Sequence, residues 1–81
     1  MVNGIVKRVI GPVVDVQFPA GELPELYNAV EINSEAGKVT LEAVQQIGDG
    51  AVRCIALAST DGISRGEPAT DTGAPITMPV G

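Results

Sequence analysis

The stretch "VIGPVVDVQFP", Val9 to Pro19, decides the fold class of this chain. Within it, every second residue from Val14 to Phe18 is apolar and the residues between them are polar, which is the period of a half-buried β-strand. The preceding Gly11-Pro12 pair interrupts the valines, and proline cannot donate to a strand ladder. The stretch therefore predicts two β-strands that meet at a bend.

The single acid of this stretch, Asp15, has two interpretations. It is either the start of a chemical site or an outward residue of a strand whose valines face inward. A site needs convergent polar groups, and the sequence places no partner group beside Asp15. We therefore interpret it as a structural residue on the outer face.

Six β-rich runs follow one another along the chain, each bounded by turn residues. The runs are Gly4 to Ile10, Val13 to Phe18, Ala29 to Ile32, Val39 to Gln46, Val52 to Ala58 and Ile76 to Val80. Short strands at regular intervals predict an all-β protein. On so short a chain they favour a small, closed, six-stranded, antiparallel-rich β-barrel, because closure removes exposed strand edges. An open two-sheet sandwich is the alternative.

The connections between the runs carry turn signals. "GDG" at Gly48 to Gly50 supplies residues that tolerate positive φ angles, so the runs on either side of it are expected to form an antiparallel hairpin. Residues 59 to 74 contain three further turn signals and are expected to form a winding loop with room for one brief strand. Pro75 and Pro79 bracket the last run, which suggests an edge position.

The run Val52 to Ala58 is apolar on both faces. Val52, Cys54 and Ala56 share one face, and Ile55 and Leu57 share the other. Such a strand is either central to the fold or covered by a partner. In the neighbouring run, the order "LEAVQQ" leaves open whether Ala43 or Val44 faces the core.

Composition limits the classes of function. The chain has 81 residues, a formal net charge of -5 and only two aromatic residues, Phe18 and Tyr27. Its length predicts a single domain over residues 1–81. Nucleic-acid binders cluster cations and stacking aromatics, so a nucleic-acid role is not expected. No apolar run approaches the roughly 20 residues of a membrane helix, so direct membrane insertion is not expected either.

The sequence offers little for catalysis. It has no histidine, so neither a Ser-His-Asp nor a Cys-His arrangement is possible. The one cysteine, Cys54, cannot form an internal disulfide, which fits a reducing compartment. Because Cys54 lies in an apolar strand, we interpret it as a packing residue rather than a nucleophile.

Neither metal binding nor phosphate binding is indicated. Asp49, Asp61 and Asp71 lie near glycines and are interpreted as turn residues, since no metal-loop spacing connects them. "GKV" at Gly37 to Val39 lacks the Ser or Thr and the first glycine of a phosphate-binding loop, so Lys38 is interpreted as a solvated charge. We predict no catalytic, cofactor-binding or metal-binding residue in this chain.

Three blocks in order carry a family resemblance. They are "GIVKRVIGPVVDVQFPAGELPELYNAV", "LEAVQQIGDGAVRCIALASTDGISRG" and "DTGAPITMPVG". Together they resemble the amino-terminal segment of the catalytic beta subunits of the F-type ATP synthases over essentially the whole chain. Two departures are visible, because "LEAVQQ" replaces the more usual "LEVQQ" and Cys54 stands where Thr is common.

The resemblance implies a six-stranded barrel that joins alpha-subunit barrels in a crown holding the alpha/beta hexamer together. It implies that ATP synthesis from ADP and phosphate, driven by a transmembrane proton gradient, belongs to a parent chain. The parent's ATP/ADP and Mg would bind in the next domain, so this segment is expected to carry no active site and no cofactor.

The resemblance also leads to an expected cellular location. The start "MVNGIVKRVIG" lacks signal-peptide and transit-peptide character. A bacterial or plastid-encoded protein is therefore favoured, with the complex lying peripherally on the cytoplasmic face of the inner membrane. The alternative function from the residues alone is a free-standing small β-barrel adaptor or interaction module. A GxxxxGK[ST] loop encoded beyond codon 81 would separate the two.

Overall fold

The computed structural model describes residues 2–34 and 37–76, which form a closed six-stranded antiparallel barrel. The strands are β1 (Val2–Ile10), β2 (Val13–Gln17), β3 (Asn28–Ser34), β4 (Gly37–Gly48), β5 (Ala51–Ala56) and β6 (Pro68–Pro75). Around the barrel their order is β1-β2-β5-β4-β3-β6, with β6 returning to β1. The predicted fold class is confirmed, and the open sandwich is excluded by this closure.

The barrel interior is filled by aliphatic side chains, as its small size requires. The residues that are fully buried or nearly so include Val6, Val14, Val16, Val30, Ile32, Leu41, Val52 and Cys54. Phe18 is the one aromatic residue of the core. On β2, the alternation that predicted the strand is observed, with Val14 and Val16 facing this core.

The tight turn between β4 and β5 follows the predicted hairpin. Gly48, Asp49 and Gly50 all have positive φ angles, of 93°, 54° and 81°. The two strands pair antiparallel from Leu41 opposite Ala56 to the turn. This turn allows β5 to lie between β4 and β2, as a central strand of the wall.

A bulge in β4 determines which of Ala43 and Val44 faces the core. Ala43 is fully buried opposite Cys54, whereas Val44 is only half-buried. The register shifts between Ala43 and Gln45, so one extra residue is inserted on β4 at this point. Ala43 therefore faces the core, and Val44 occupies the bulge.

Close approach of two strands requires a glycine at position 4. A Cβ atom at Gly4 would lie 2.7 Å from the carbonyl oxygen of Gln17 and 2.8 Å from Cγ1 of Val16. The first of these atoms belongs to the backbone and cannot move aside easily. Gly4 therefore lets β1 pass tightly over the end of β2.

The strand that closes the barrel was not among the six predicted runs. The predicted run Ile76 to Val80 falls outside the described residues from position 77 onward, and Ile76 itself follows β6 without joining it. The closing strand is Pro68–Pro75, which lies largely within residues 59 to 74, where a winding loop with room for one brief strand was expected. It pairs with β1 on one side and β3 on the other. Tertiary pairing thus outweighs its weak intrinsic strand propensity.

The turn signal "TDTG" at residues 70–73 produces a bulge rather than a turn. Val30 pairs with Asp71, but Asn28 pairs with Pro75, so β6 carries extra residues at this point. Gly73 has a φ angle of 78°, and its backbone N–H donates to Oδ1 of Asp71 at 3.0 Å. The turn chemistry is present, but the chain stays in the sheet.

Candidate interaction surface

Asp15 lies on the outer face of β2, as predicted, but it is neither exposed nor unpartnered. Only 4% of the residue is accessible. Nε of Arg53 donates to Oδ1 of Asp15 at 3.0 Å, and Nη2 donates to Oδ2 at 3.4 Å. The expectation that Asp15 has no partner is therefore wrong. A cross-strand ion pair between β2 and β5, invisible in either strand alone, is the reason.

The ion pair belongs to a row of charged residues across three strands. Arg8 of β1 pairs in register with Asp15, and Asp15 pairs in register with Arg53. Of these two cations, Arg53 is the one that forms an ion pair with the Asp15 carboxylate within the described residues. The hydrogen bond and the charge of Asp15 raise the pKa of Arg53 above its ordinary value. The Asp15–Arg53 pair therefore joins β2 to β5 on the outer wall.

A second buried aspartate, Asp71, faces the barrel interior beside Ala69. Its Oδ1 accepts from Nδ2 of Asn28 at 3.3 Å and from the N–H of Gly73. Because buried polar groups are stable only when hydrogen-bonded, these contacts explain its position. The prediction that Asp71 lies in a turn is wrong, whereas Asp49 lies in the β4–β5 turn and Asp61 in the loop after β5.

Cys54 is fully buried on the inner face of β5, as its apolar strand predicted. Burial, with smaller contributions from the charges of Asp15 and Asp71, raises the pKa of the thiol to about 12. The thiolate is the nucleophilic form of cysteine, so the thiol is held in its unreactive form at neutral pH. Its role in the fold is packing.

The carboxylates are scattered over the barrel. Across residues 2–34 and 37–76, no group of three His, Cys, Asp or Glu side chains is placed to hold a metal ion. The exposed Lys38 contacts Glu31 across the β3–β4 pair at 3.5 Å. Both side chains remain in contact with solvent.

The outer wall also carries an apolar row. Ile10, Val13 and Ile55 are opposed in register across β1, β2 and β5, and Leu57 follows directly after β5. Ile10 is 57% exposed and Leu57 is 53% exposed. We name Ile10, Val13, Ile55 and Leu57 the outer apolar row. Grouped exposed apolar residues typically mark an interaction surface, and the doubly apolar β5 was the sequence signal for it.

The architecture defines the class of protein as a small, closed, antiparallel β-barrel domain. Among the described residues, no helix has the length and apolar character needed to cross a membrane. A sequence model described as the ATP synthase alpha/beta family, beta-barrel domain, matches residues 6–73. The chain therefore belongs to the ATP synthase alpha/beta family, of which it contains the β-barrel domain. Membership in this family implies assembly in a multi-subunit complex.

Proposed function

We propose that this chain is the amino-terminal barrel of the catalytic beta subunit of an F-type ATP synthase. The observation that carries the proposal is the family match over residues 6–73 on a closed barrel of the matching type. The choice of the beta subunit rests on the wording of the sequence, "VIGPVVDV" and "MPVG", which resembles beta rather than alpha subunits.

The proposed work of the barrel is mechanical. Barrels of alpha and beta subunits join side by side into a crown that holds the hexamer together. A closed wall around a close-packed, largely aliphatic core resists deformation by neighbouring subunits. The outer apolar row, with Ile10 and Leu57 exposed and Val13 and Ile55 half-buried, provides area that a neighbouring barrel covers. The hydrophobic gain from that burial drives association.

The chemistry of the parent takes place outside this segment. We propose that the parent chain binds ATP/ADP with Mg in its following domain and couples synthesis to a transmembrane proton gradient. The complex then lies peripherally on the cytoplasmic face of a bacterial inner membrane. In this scheme the barrel supplies position and cohesion, and no side chain of it contacts a phosphate.

Mixing the chain with the barrel domain of an alpha subunit tests the proposal. Sedimentation velocity should show a hetero-oligomer in the mixture and a monomer for this chain alone, because the crown alternates two kinds of subunit. A stable hexamer of this chain alone, or no association with the alpha barrel, contradicts the proposal.

Titration calorimetry with ATP separates assembly from catalysis. We expect no heat of binding at micromolar ATP and no hydrolysis by the isolated chain. Binding in that range would point to a nucleotide site within the barrel. In the parent gene, a strand followed by a GxxxxGK[ST] loop beyond codon 81 is expected, and its absence would favour a free-standing adaptor.

A further inference from the structure

The cationic side chains of this barrel differ in whether they form ion pairs. The chain has five Lys and Arg residues. Two of them are in ion pairs, Lys38 with Glu31 and Arg53 with Asp15. Within the described residues, the other three, Lys7, Arg8 and Arg65, are in no ion pair, and all three line one groove. A chain of net charge -5 therefore concentrates its unpaired positive charge in one place.

This groove lies on the outside of β1. It is an open depression of about 910 Å³. Its lining residues are Ile5, Val6, Lys7, Arg8, Val9, Gln17, Ile63, Arg65 and Gly66. No acidic residue is among them. We name this depression the β1 groove.

The floor of the β1 groove is apolar. Val6 and Ile63 belong to the packed core, at 1% and 9% accessibility, whereas Ile5 stands 51% exposed beside them. An occupant with negative charge alone would leave Ile5 in contact with water. The groove therefore fits a ligand that offers both carboxylates and an apolar side chain.

The groove also borders an open strand edge. β1 pairs with β6 only from Val2 to Ile5. The N–H of Val6 then donates to the carbonyl oxygen of Glu67, and the carbonyl oxygen of Val6 accepts from the N–H of Gly66, both at 2.8 Å. Beyond Val6, in the described part of the chain, no backbone hydrogen bond joins residues 7–10 to a neighbour on the β6 side. Unpaired edges accept added strands.

We propose that the β1 groove binds an extended acidic segment of a partner subunit, which adds alongside residues 7–10 of β1. The segment forms backbone hydrogen bonds with the open edge, as in other strand-addition complexes. Its carboxylates contact Lys7, Arg8 and Arg65, and an apolar side chain covers the exposed Ile5. The inference rests on the proposed function, because it requires a partner barrel in the assembly.

Charge reversal in the groove tests this inference with the alpha-subunit barrel as the probe. Lys7→Glu and Arg65→Glu should each raise the Kd by about tenfold, since a like charge then faces the acidic segment. Lys38→Glu is the matched control, because it makes the same change of charge on β4, outside the groove. It should change the Kd by less than about twofold. Circular dichroism should show that all three variants remain folded.

Hydrogen exchange gives an independent readout of strand addition. In the wild-type complex, those amides of residues 7–10 that do not already donate to β2 should exchange about tenfold or more slowly than in the free chain, because added strands protect amides. If wild type binds but the groove variants bind equally well and these amides stay unprotected, the groove proposal is overturned while the proposed function stands. If wild type fails to bind the alpha barrel, both are overturned.

Discussion

Strands β5 and β6 complete the same barrel by different means. β5 has the sequence AVRCIA, and its inward residues Val52 and Cys54 are fully buried against β2 and β4. β6 has the sequence PATDTGAP, and its inward residues are Ala69 and Asp71. Burial of apolar surface stabilises the first strand. The second strand relies on backbone pairing with β1 and β3 and on the hydrogen bonds of a buried carboxylate.

The difference shows which part of a barrel depends on its side chains. A central strand such as β5 brings its own apolar area and needs little else. A closing strand such as β6 brings small and polar residues. Its strand conformation follows from backbone pairing with β1 on one side and β3 on the other. Substitutions should therefore act through lost packing in β5 and through lost hydrogen bonds in β6.

Removing apolar volume from β5 should have the largest effect. Val52→Ala is expected to lower the free energy of unfolding by about 2–3 kcal/mol, through lost burial and the cavity left in the core. Urea unfolding followed by circular dichroism measures it. Ile55→Ala on the outer face of the same strand is the control and should cost less than about 1 kcal/mol. Equal losses would mean that the inner and outer faces of β5 contribute equally to the free energy of unfolding.

Removing the buried carboxylate of Asp71 should test whether hydrogen bonds stabilise β6. Asp71→Ala leaves the amide of Asn28 and the N–H of Gly73 without their acceptor, which should cost about 1–3 kcal/mol in unfolding free energy. Asp71→Asn, which keeps a carbonyl acceptor, should cost less. Thr70→Ala, also on β6, removes an exposed hydrogen bond to Asn3 of β1 and should cost under about 0.5 kcal/mol. An unchanged stability for Asp71→Ala would contradict a polar role for β6.

High pH should act on β5 through Cys54. The thiol pKa is raised from 9.0 to about 12 in the fold, so between these values the unfolded chain loses its thiol proton and the folded chain keeps it. Stability is therefore complete below pH 9 and falls as the pH rises, by about 1.4 kcal/mol per pH unit. Urea unfolding at pH 8, 9 and 10 measures this fall. The Cys54→Ala variant, which lacks the thiol, should show a shallower dependence, and identical slopes would contradict the account.

The outer ion pair should give the smallest effect. Asp15→Asn keeps an acceptor for Arg53 but removes the charge, and the Arg53 side chain is 39% exposed, so solvent screens much of the interaction. The loss of unfolding free energy should be smaller than that of Asp71→Ala. It should exceed that of Glu31→Gln, which breaks the more exposed pair with Lys38. The reverse order would show that burial of Asp15 adds nothing to the pair.

The sequence predicted those features that depend on local pattern. The alternation in β2, the positive φ angles of the β4–β5 turn and the burial of Cys54 each follow from residues that are neighbours in the chain. The fold class followed from counting strands between turn residues. The closing strand Pro68–Pro75 was not among the six counted runs, and the predicted run Ile76 to Val80 lies outside the described residues from position 77 onward.

Features that depend on pairing between distant strands could not be predicted. The partner of Asp15 is 38 residues away, and the bulge that seats Asp71 depends on the register with β3. The β1 groove likewise joins residues 5–9 to residues 63–66, and no local pattern connects Lys7 with Arg65. Such sites appear only when the barrel closes.

A structure of the assembled complex by electron cryo-microscopy tests the central claim most directly. The account predicts that the barrel lies in a ring of neighbouring barrels, with the outer apolar row covered and residues 7–10 of β1 paired with an acidic segment of a partner. A ring in which Ile55 and Leu57 face solvent and the β1 groove stands open would contradict it.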